Sequence, residues 1–139
     1  MSGVLLDTNV ISELTKEVPA PPVVAFLSAG DDLWLSALVL HELEFGLRLL
    51  PHGRRRDALR DSLSEVIRHY EDRVLPVDRK AAVWAARFRA EARKRGCPLD
   101  LGDALIAGTA KASDLSLATR NVADFSGLQL ALTNPWDFR

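Results

Sequence analysis

The sequence is poor in the features that mark secreted, membrane and cysteine-bound metal proteins. It has a single cysteine, Cys97, in 139 residues, which excludes an internal disulfide and a cysteine-based zinc site. No apolar run approaches the roughly 18 residues that cross a bilayer, and the N-terminus lacks the basic and apolar regions of a secretory signal. We therefore expect a cytoplasmic protein with no membrane partner, folded as one domain over residues 1–139.

The chain also lacks a strong net charge. At −1 it has no overall positive field of the kind that indicates nucleic-acid binding. Its basic residues are nevertheless concentrated in two segments, HGRRRDALR (52–60) and RAEARKRG (89–96). Each segment fits a solvated helix face, and each also leaves local contact with a polyanion open.

Short aliphatic segments alternate with helical segments along the whole chain. The strand candidates are GVLLD, LWLS, RVLPV and SLATR, with LQLAL (128–132) as a short edge strand. Strands separated by helices predict an α/β protein with a mostly parallel sheet that is covered on both faces. Ligands of such proteins bind beyond the carboxyl ends of the strands.

The stretch LLDTNVISEL places an acid, Asp7, directly after the first strand. Asp7, Thr8 and Asn9 could simply cap the helix that follows, because all three types accept hydrogen bonds from free amides of a first turn. The alternative is that Asp7 is a metal ligand at the carboxyl end of a buried strand. The other acids of the chain bear on the choice.

A second acid, Glu42, lies in the helical segment ALVLHELEFGLRLL. A helical wheel places it inside an apolar arc that includes Phe45 and Leu49, with Gly46 beside it. A buried carboxylate without a partner costs several kcal/mol, so Glu42 needs donors or a cation. The segment is not a zinc-protease motif, because Phe45 stands where HExxH requires its second histidine.

Two further acids follow in PLDLGDALIAGTA and LATRNVADF. Asp103 could complete a capping box with Asp100, and Asn121 and Asp124 could bond within their own turn. Alternatively, Asp103 and Asp124 join Asp7 and Glu42 in one cleft, where four like charges would repel unless a cation joined them.

The residue types limit the chemistry of such a cleft. Ligands that are all oxygen suit Mg²⁺ or Mn²⁺ rather than zinc, and these ions favour water-mediated attack on phosphodiesters. The sequence has no GxxxxGK[ST] phosphate loop, and no Ser, Cys or His is placed beside a base as a nucleophile.

With these motifs in order, the chain resembles the PIN-domain ribonucleases, in particular the bacterial VapC-type and FitB-like toxins. The motifs are LLDTNVISEL, SALVLHELEFG, DALIAGTA and LATRNVADF, followed by a closing NPW. The resemblance implies a three-layer α/β/α sandwich with four to five strands and Mg²⁺-dependent endonucleolytic cleavage of RNA. It assigns metal binding and catalysis to Asp7, Glu42, Asp103 and Asp124, and support of these acids to Thr8, Asn9, Ser36 and Asn121.

The resemblance also implies partners. These are a homodimer, a small antitoxin that blocks the site within a larger assembly, and operon DNA that is bound only through the antitoxin. Candidate walls of the antitoxin groove are the apolar segment VVAFL (23–27) and the basic helix GRRRDALR (53–60).

Two other functions compete with the ribonuclease. A phospho-receiver domain also gathers acids at a sheet edge, but it needs an acidic pair after the first strand and a late lysine, which this chain lacks. A PIN-like fold that has lost catalysis and serves as a binding module is the second alternative, and retention of all four acids argues against it.

Overall fold

The computed structural model of the protein describes residues 3–139 and contains one five-stranded sheet. Its strands are β1 (Val4–Leu6), β2 (Leu33–Ser36), β3 (Val74–Leu75), β4 (Ser116–Ala118) and β5 (Leu132–Thr133). They are ordered β3-β2-β1-β4-β5, and every neighbouring pair is parallel. The predicted parallel sheet is confirmed. The single domain over residues 1–139 stays a prediction, and Met1 and Ser2 lie outside the described residues.

Helices connect the strands throughout the described residues. They are α1 (Thr8–Glu13), α2 (Pro21–Ala29), α3 (Ala37–Leu49), α4 (Arg54–His69), α5 (Arg79–Lys94), α6 (Leu101–Ala112) and α7 (Val122–Phe125), with a 3₁₀ helix at Pro135–Asp137. Their starts follow ordinary capping rules. Ser36 caps α3 and Asp78 caps α5, each by accepting a backbone N–H, and Pro21 begins α2.

The strand order explains how the helices cover both faces of the sheet. From β1 the chain moves outward through β2 to β3, and it then returns to β4 on the other side of β1. Because these connections are right-handed, the helices between β1 and β3 lie on one face of the sheet and the helices after β3 lie on the other. The result is the predicted three-layer α/β/α sandwich, with its topological switch point between β1 and β4.

The last predicted strand is displaced. LQLAL (128–132) is irregular except for its final residue, and the edge strand is Leu132–Thr133, which pairs with Leu117 and Ala118. Gly127, at a φ of +83°, begins the irregular stretch. The apolar alternation of LQLAL does not distinguish a strand from a turn whose leucines pack against the core.

The wheel of α3 overestimates how much of that helix is buried. Phe45 is 57% and Leu49 is 68% exposed, whereas Val39, Leu43 and Leu47 face the core. A helix that packs on a sheet buries one stripe of residues four apart, so the flanking apolar positions can remain in solvent. Glu42 borders that stripe and is half-buried.

A close contact between α5 and α6 holds one helical layer together. A Cβ at Gly108 would lie 2.3 Å from the carbonyl oxygen of Ala81 and 2.8 Å from the amide nitrogen of Ala85. Only glycine allows the two backbones to approach so closely. Within residues 3–139, no helix is both long and apolar enough to span a membrane.

This packing predicts opposite effects for two glycine substitutions. Gly108→Ala should lower the free energy of unfolding by about 1–3 kcal/mol, because the new methyl group meets backbone that must move apart. Gly46→Ala should raise it by up to about 1 kcal/mol, since Gly46 is inside α3 and a Cβ there meets nothing within 4 Å. Urea denaturation of both variants tests the pair, and equal effects would contradict the described contact.

Candidate functional site

A cavity of about 440 Å³ opens at the carboxyl ends of β1 and β4, beside the topological switch point. Residues that follow β1 and β4 meet there with residues from α3 and α6. The lining residues include three predicted site acids, Asp7, Glu42 and Asp103, together with Thr8, Asn9 and Asn121.

Asp7 is the most enclosed acid of this cavity, with 4% of its surface exposed. Its Oδ1 accepts the backbone N–H of Thr8 at 2.7 Å. Its Oδ2 accepts the hydroxyl of Thr119 at 2.7 Å and the side-chain amide of Asn9 at 3.3 Å. Burial nevertheless raises the pKa of Asp7 above its ordinary value, against the lowering effect of these donors. Asp7 is therefore both the N-cap of α1 and a buried acid that faces the cavity.

Glu42 reaches the cavity from the middle of α3. One carboxylate oxygen accepts a short hydrogen bond from the hydroxyl of Thr8. The other, Oε2, would lie 3.1 Å from a Cβ built on Gly102 in the first turn of α6. The missing side chain of Gly102 therefore lets the Glu42 carboxylate approach α6.

Asp103 experiences the combined charge of the acids most strongly. Its pKa is raised to about 7, first by burial and then by the charges of Asp100, Asp7, Glu42 and Asp124. Asp100 caps α6, as the sequence predicts, by accepting the N–H of Asp103 at 2.8 Å. The cavity thus holds more carboxylates than it can easily keep ionised without a cation.

The remaining predicted residues lie at the margin of the cavity or outside its lining. Asp124 is exposed on α7 and acts on Asp103 only through its charge. Asn121 is exposed at the rim, and its backbone N–H donates to Thr119 at 3.0 Å. Ser36 is fully buried and accepts the N–H of Leu38 at 3.1 Å, so it supports Glu42 only by starting α3.

Thr119 is a residue of the site that was not predicted from the sequence. Its side chain is fully buried and donates to Asp7, and its hydroxyl also accepts from Asn121. The signal was a hydroxyl at the end of a buried strand, directly before a polar turn. That pattern has too many ordinary uses in turns to single out one threonine.

The carboxylates of the cavity are suitable ligands for a divalent cation, although their oxygens do not converge on one point. Within residues 3–139, no group of three or more Asp, Glu, His or Cys side chains is arranged to hold a metal ion as it stands. Asp7, Glu42 and Asp103 supply only oxygen donors, which suit Mg²⁺ or Mn²⁺. Burial and then the charges of the neighbouring acids raise the pKa of Asp103, and a bound cation would offset both effects.

A second cavity, of about 550 Å³, adjoins this site and shares Thr8 and Glu42 with it. Arg55, Ala58 and Leu59 of α4, which belong to the segment GRRRDALR, form one wall. The segment VVAFL does not line this cavity, and its Val24 and Leu27 line a separate cavity between α2 and α4. The role of both segments as walls of an antitoxin groove stays a prediction.

Comparison with known proteins places this geometry in a family. The sequence profile of the PIN domain matches residues 4–127. The chain belongs to the PIN-domain family.

Relatives of this PIN domain include the predicted toxin types. It is 37% identical over 136 residues to Toxin FitB of Neisseria gonorrhoeae, which covers 96% of this chain and 98% of the relative. It is 39% identical over 137 residues to the VapC ribonuclease Y4jK of Sinorhizobium fredii, covering 96% and 98%. The crystal structure of FitAcB from Neisseria gonorrhoeae superposes with a TM-score of 0.87 at 36% identity, covering 97% of this chain and 99% of that one. The resemblance drawn from the four motifs is confirmed.

The raised pKa of Asp103 predicts how pH acts on the metal-free PIN domain. Because the folded protein holds this proton more tightly than the unfolded chain, stability falls as pH rises from the ordinary value of 3.8 to about 7. Asp103→Asn should remove this contribution and raise stability above neutral pH, on the order of 1 kcal/mol after allowance for solvent at a half-buried carboxyl. Urea denaturation with EDTA across this pH range measures it, and parallel pH profiles for the two proteins would contradict it.

Proposed function

We propose that this protein is a Mg²⁺-dependent endoribonuclease that acts as the toxin of a type II toxin–antitoxin system. The observation that carries the proposal is that acids from three separate segments, Asp7, Glu42 and Asp103, share one cavity at the switch point of the sheet. Relatives over almost the whole chain bear the names toxin and ribonuclease, which supports the same activity.

Asp7, Glu42 and Asp103 would hold the ion, which can be Mg²⁺ or Mn²⁺, and Asp124 would act on it from the rim through water. A bound Mg²⁺ lowers the pKa of water and offsets the charge of a phosphodiester. The ion would also favour the ionised form of Asp103 at neutral pH, because its positive charge would offset the burial and the neighbouring negative charges that raise the pKa of this carboxyl.

The neutral residues of the site orient Asp7. Thr119 and Asn9 both donate to Oδ2, and the Thr8 N–H donates to Oδ1, so the carboxylate cannot rotate freely. The Thr8 hydroxyl also joins this group to Glu42. Fixed acids lose less conformational freedom when they bind an ion, and this pre-organises the site for chemistry.

An antitoxin belongs to the same proposal. The relative FitB has a solved structure as a FitAB complex bound to a DNA fragment, and this supports a protein partner through which operon DNA is reached. We place a segment of that partner in the cavity formed by α1, α3 and α4, because its apolar residues, such as Leu47 and Leu59, continue directly to Glu42. A homodimer, a higher toxin–antitoxin assembly and a cytoplasmic location, where RNA substrates are present, complete the proposal.

Substitution of the inner acids tests the activity. With Mg²⁺ present, Asp7→Asn, Glu42→Gln and Asp103→Asn should each lower the rate of RNA cleavage by about a hundredfold or more, because each removes a donor to the ion. The matched control is Asp72→Asn, an exposed acid in the turn before β3, which should cleave at the wild-type rate. Glu42→Gln should also keep its stability, because glutamine still accepts from Thr8.

The assay is gel analysis of a structured RNA incubated with purified protein, with Mg²⁺ and with EDTA. Cleavage that continues in EDTA, or at full rate in the Asp7 and Asp103 variants, would refute a metal-dependent site. RNA binding without cleavage by the wild-type protein would favour the alternative of an inactive PIN-like binding module.

A further inference from the structure

The cavity that holds the acids is also lined by cations. Lys16, Arg120 and Trp136 line it together with Asp7 and Asp103. We propose that Arg120, braced by Trp136 and assisted by Lys16, binds a backbone phosphate of the RNA next to the bond that is cut. The inference rests on the proposed function, and it adds the residues that position the strand.

Arg120 is held in place at both of its ends. Its backbone N–H donates to the side-chain oxygen of Asn9 at 3.3 Å, and Asn9 itself donates to Asp7. Its guanidinium carbon lies 5.0 Å from the centre of the Trp136 ring, within the range of a cation–π contact. Arg120 is exposed, and both it and Trp136 line the cavity that contains the acids.

The closing NPW segment fixes the tryptophan. Asn134 accepts the N–H of Trp136 at 3.0 Å, which starts the 3₁₀ helix, and Pro135 is buried. The ring of Trp136 is half-buried and packs against the core. An aromatic plane anchored in this way limits the rotamers of Arg120, so less freedom is lost when the guanidinium binds an anion.

Lys16 belongs to the same side through Glu13. Glu13 is 5% exposed, accepts the N–H of Ala20 at 2.9 Å and lies 2.8 Å from the ammonium group of Lys16. These contacts and the nearby charge of Arg120 lower the pKa of Glu13, so it remains ionised. Lys16 pairs with this carboxylate and Arg120 acts on it only through its charge, so the three groups together keep a net positive charge.

The presence of both acids and cations in one cavity favours RNA as the occupant. An RNA strand carries a negative charge at every nucleotide, so the phosphate at the acids needs a cation, and the neighbouring phosphate needs a positive partner a short distance away. Arg120 offers a planar pair of donors that matches phosphate oxygens. An acidic protein segment would satisfy Arg120 but would also meet the carboxylates Asp7 and Asp103 in the same cavity.

RNA binding can be measured separately from cleavage. Fluorescence anisotropy with a fluorescein-labelled single-stranded RNA of mixed sequence, in EDTA and over a series of salt concentrations, compares wild-type protein with Arg120→Ala. We expect the variant to bind roughly three- to tenfold more weakly, and the slope of log affinity against log salt to decrease in size by about 0.7, the value for one phosphate contact with a single strand. With Mg²⁺, its KM should rise more than its kcat falls.

Arg87→Ala is the matched control. Arg87 also stacks on a tryptophan, with its guanidinium carbon 4.9 Å from the ring of Trp84. That ring lies next to Lys111 in the last turn of α6, whereas Asp103 is in the first turn of the same helix. The control loses the same kind of contact outside the acidic cavity, and it should keep wild-type affinity and salt slope.

The outcomes separate the inference from the proposed function. If wild-type protein binds and cleaves RNA and Arg120→Ala has the same affinity and salt slope, the inference alone is overturned. If the Arg87 and Arg120 variants weaken binding equally, the effect is general charge and the inference fails. Unchanged RNA binding combined with loss of affinity for a protein partner would assign Arg120 to that partner. Wild-type protein that neither binds nor cleaves RNA would remove both proposals.

Discussion

The carboxylate of Asp7 lies at the end of the central strand, where almost no water reaches it, and its surroundings have to offset the lost hydration. Thr8, Asn9 and Thr119 each donate a hydrogen bond to it, and yet burial still raises its pKa. Removing a carboxylate from water costs several kcal/mol, a large part of the stability of a domain of this size. At Asp103, burial and then the charges of the neighbouring acids raise the pKa to about 7.

The fold brings these acids together because β1 lies between the outgoing and the returning halves of the chain. Asp7 follows β1, Thr119 and Arg120 follow β4 beside it, and α3 and α6 enter from opposite layers. The same arrangement brings the cations Lys16 and Arg120 into the lining of the cavity that holds the acids. In the proposed function, a strand of RNA would meet both negative and positive side chains in this one cavity.

The sequence was a good guide to the layers and to the acids, because strands, caps and buried charges leave local signals. Asp7 after an aliphatic run and Asp103 in a first turn were both identified this way, and the structure places them in one cavity. Contacts between distant segments left no such signal. The hydrogen bond from Thr119 to Asp7 spans 112 positions, and the stacking of Arg120 on Trp136 depends on how the final turn folds back. The prediction of a strand over the whole of LQLAL (128–132) was wrong, because the same alternation of apolar residues also suits a turn that packs on the core.

We propose above all that a divalent cation binds among these acids and offsets their mutual repulsion. Isothermal titration calorimetry with Mn²⁺, in buffers that differ in ionisation enthalpy, tests it most directly because metal binding then reports its own proton release. Near neutral pH, where Asp103 is partly protonated, we expect saturable binding with release of a fraction of a proton, and this release should vanish at alkaline pH. An absence of binding, or binding near neutral pH without release of a proton, would contradict the account.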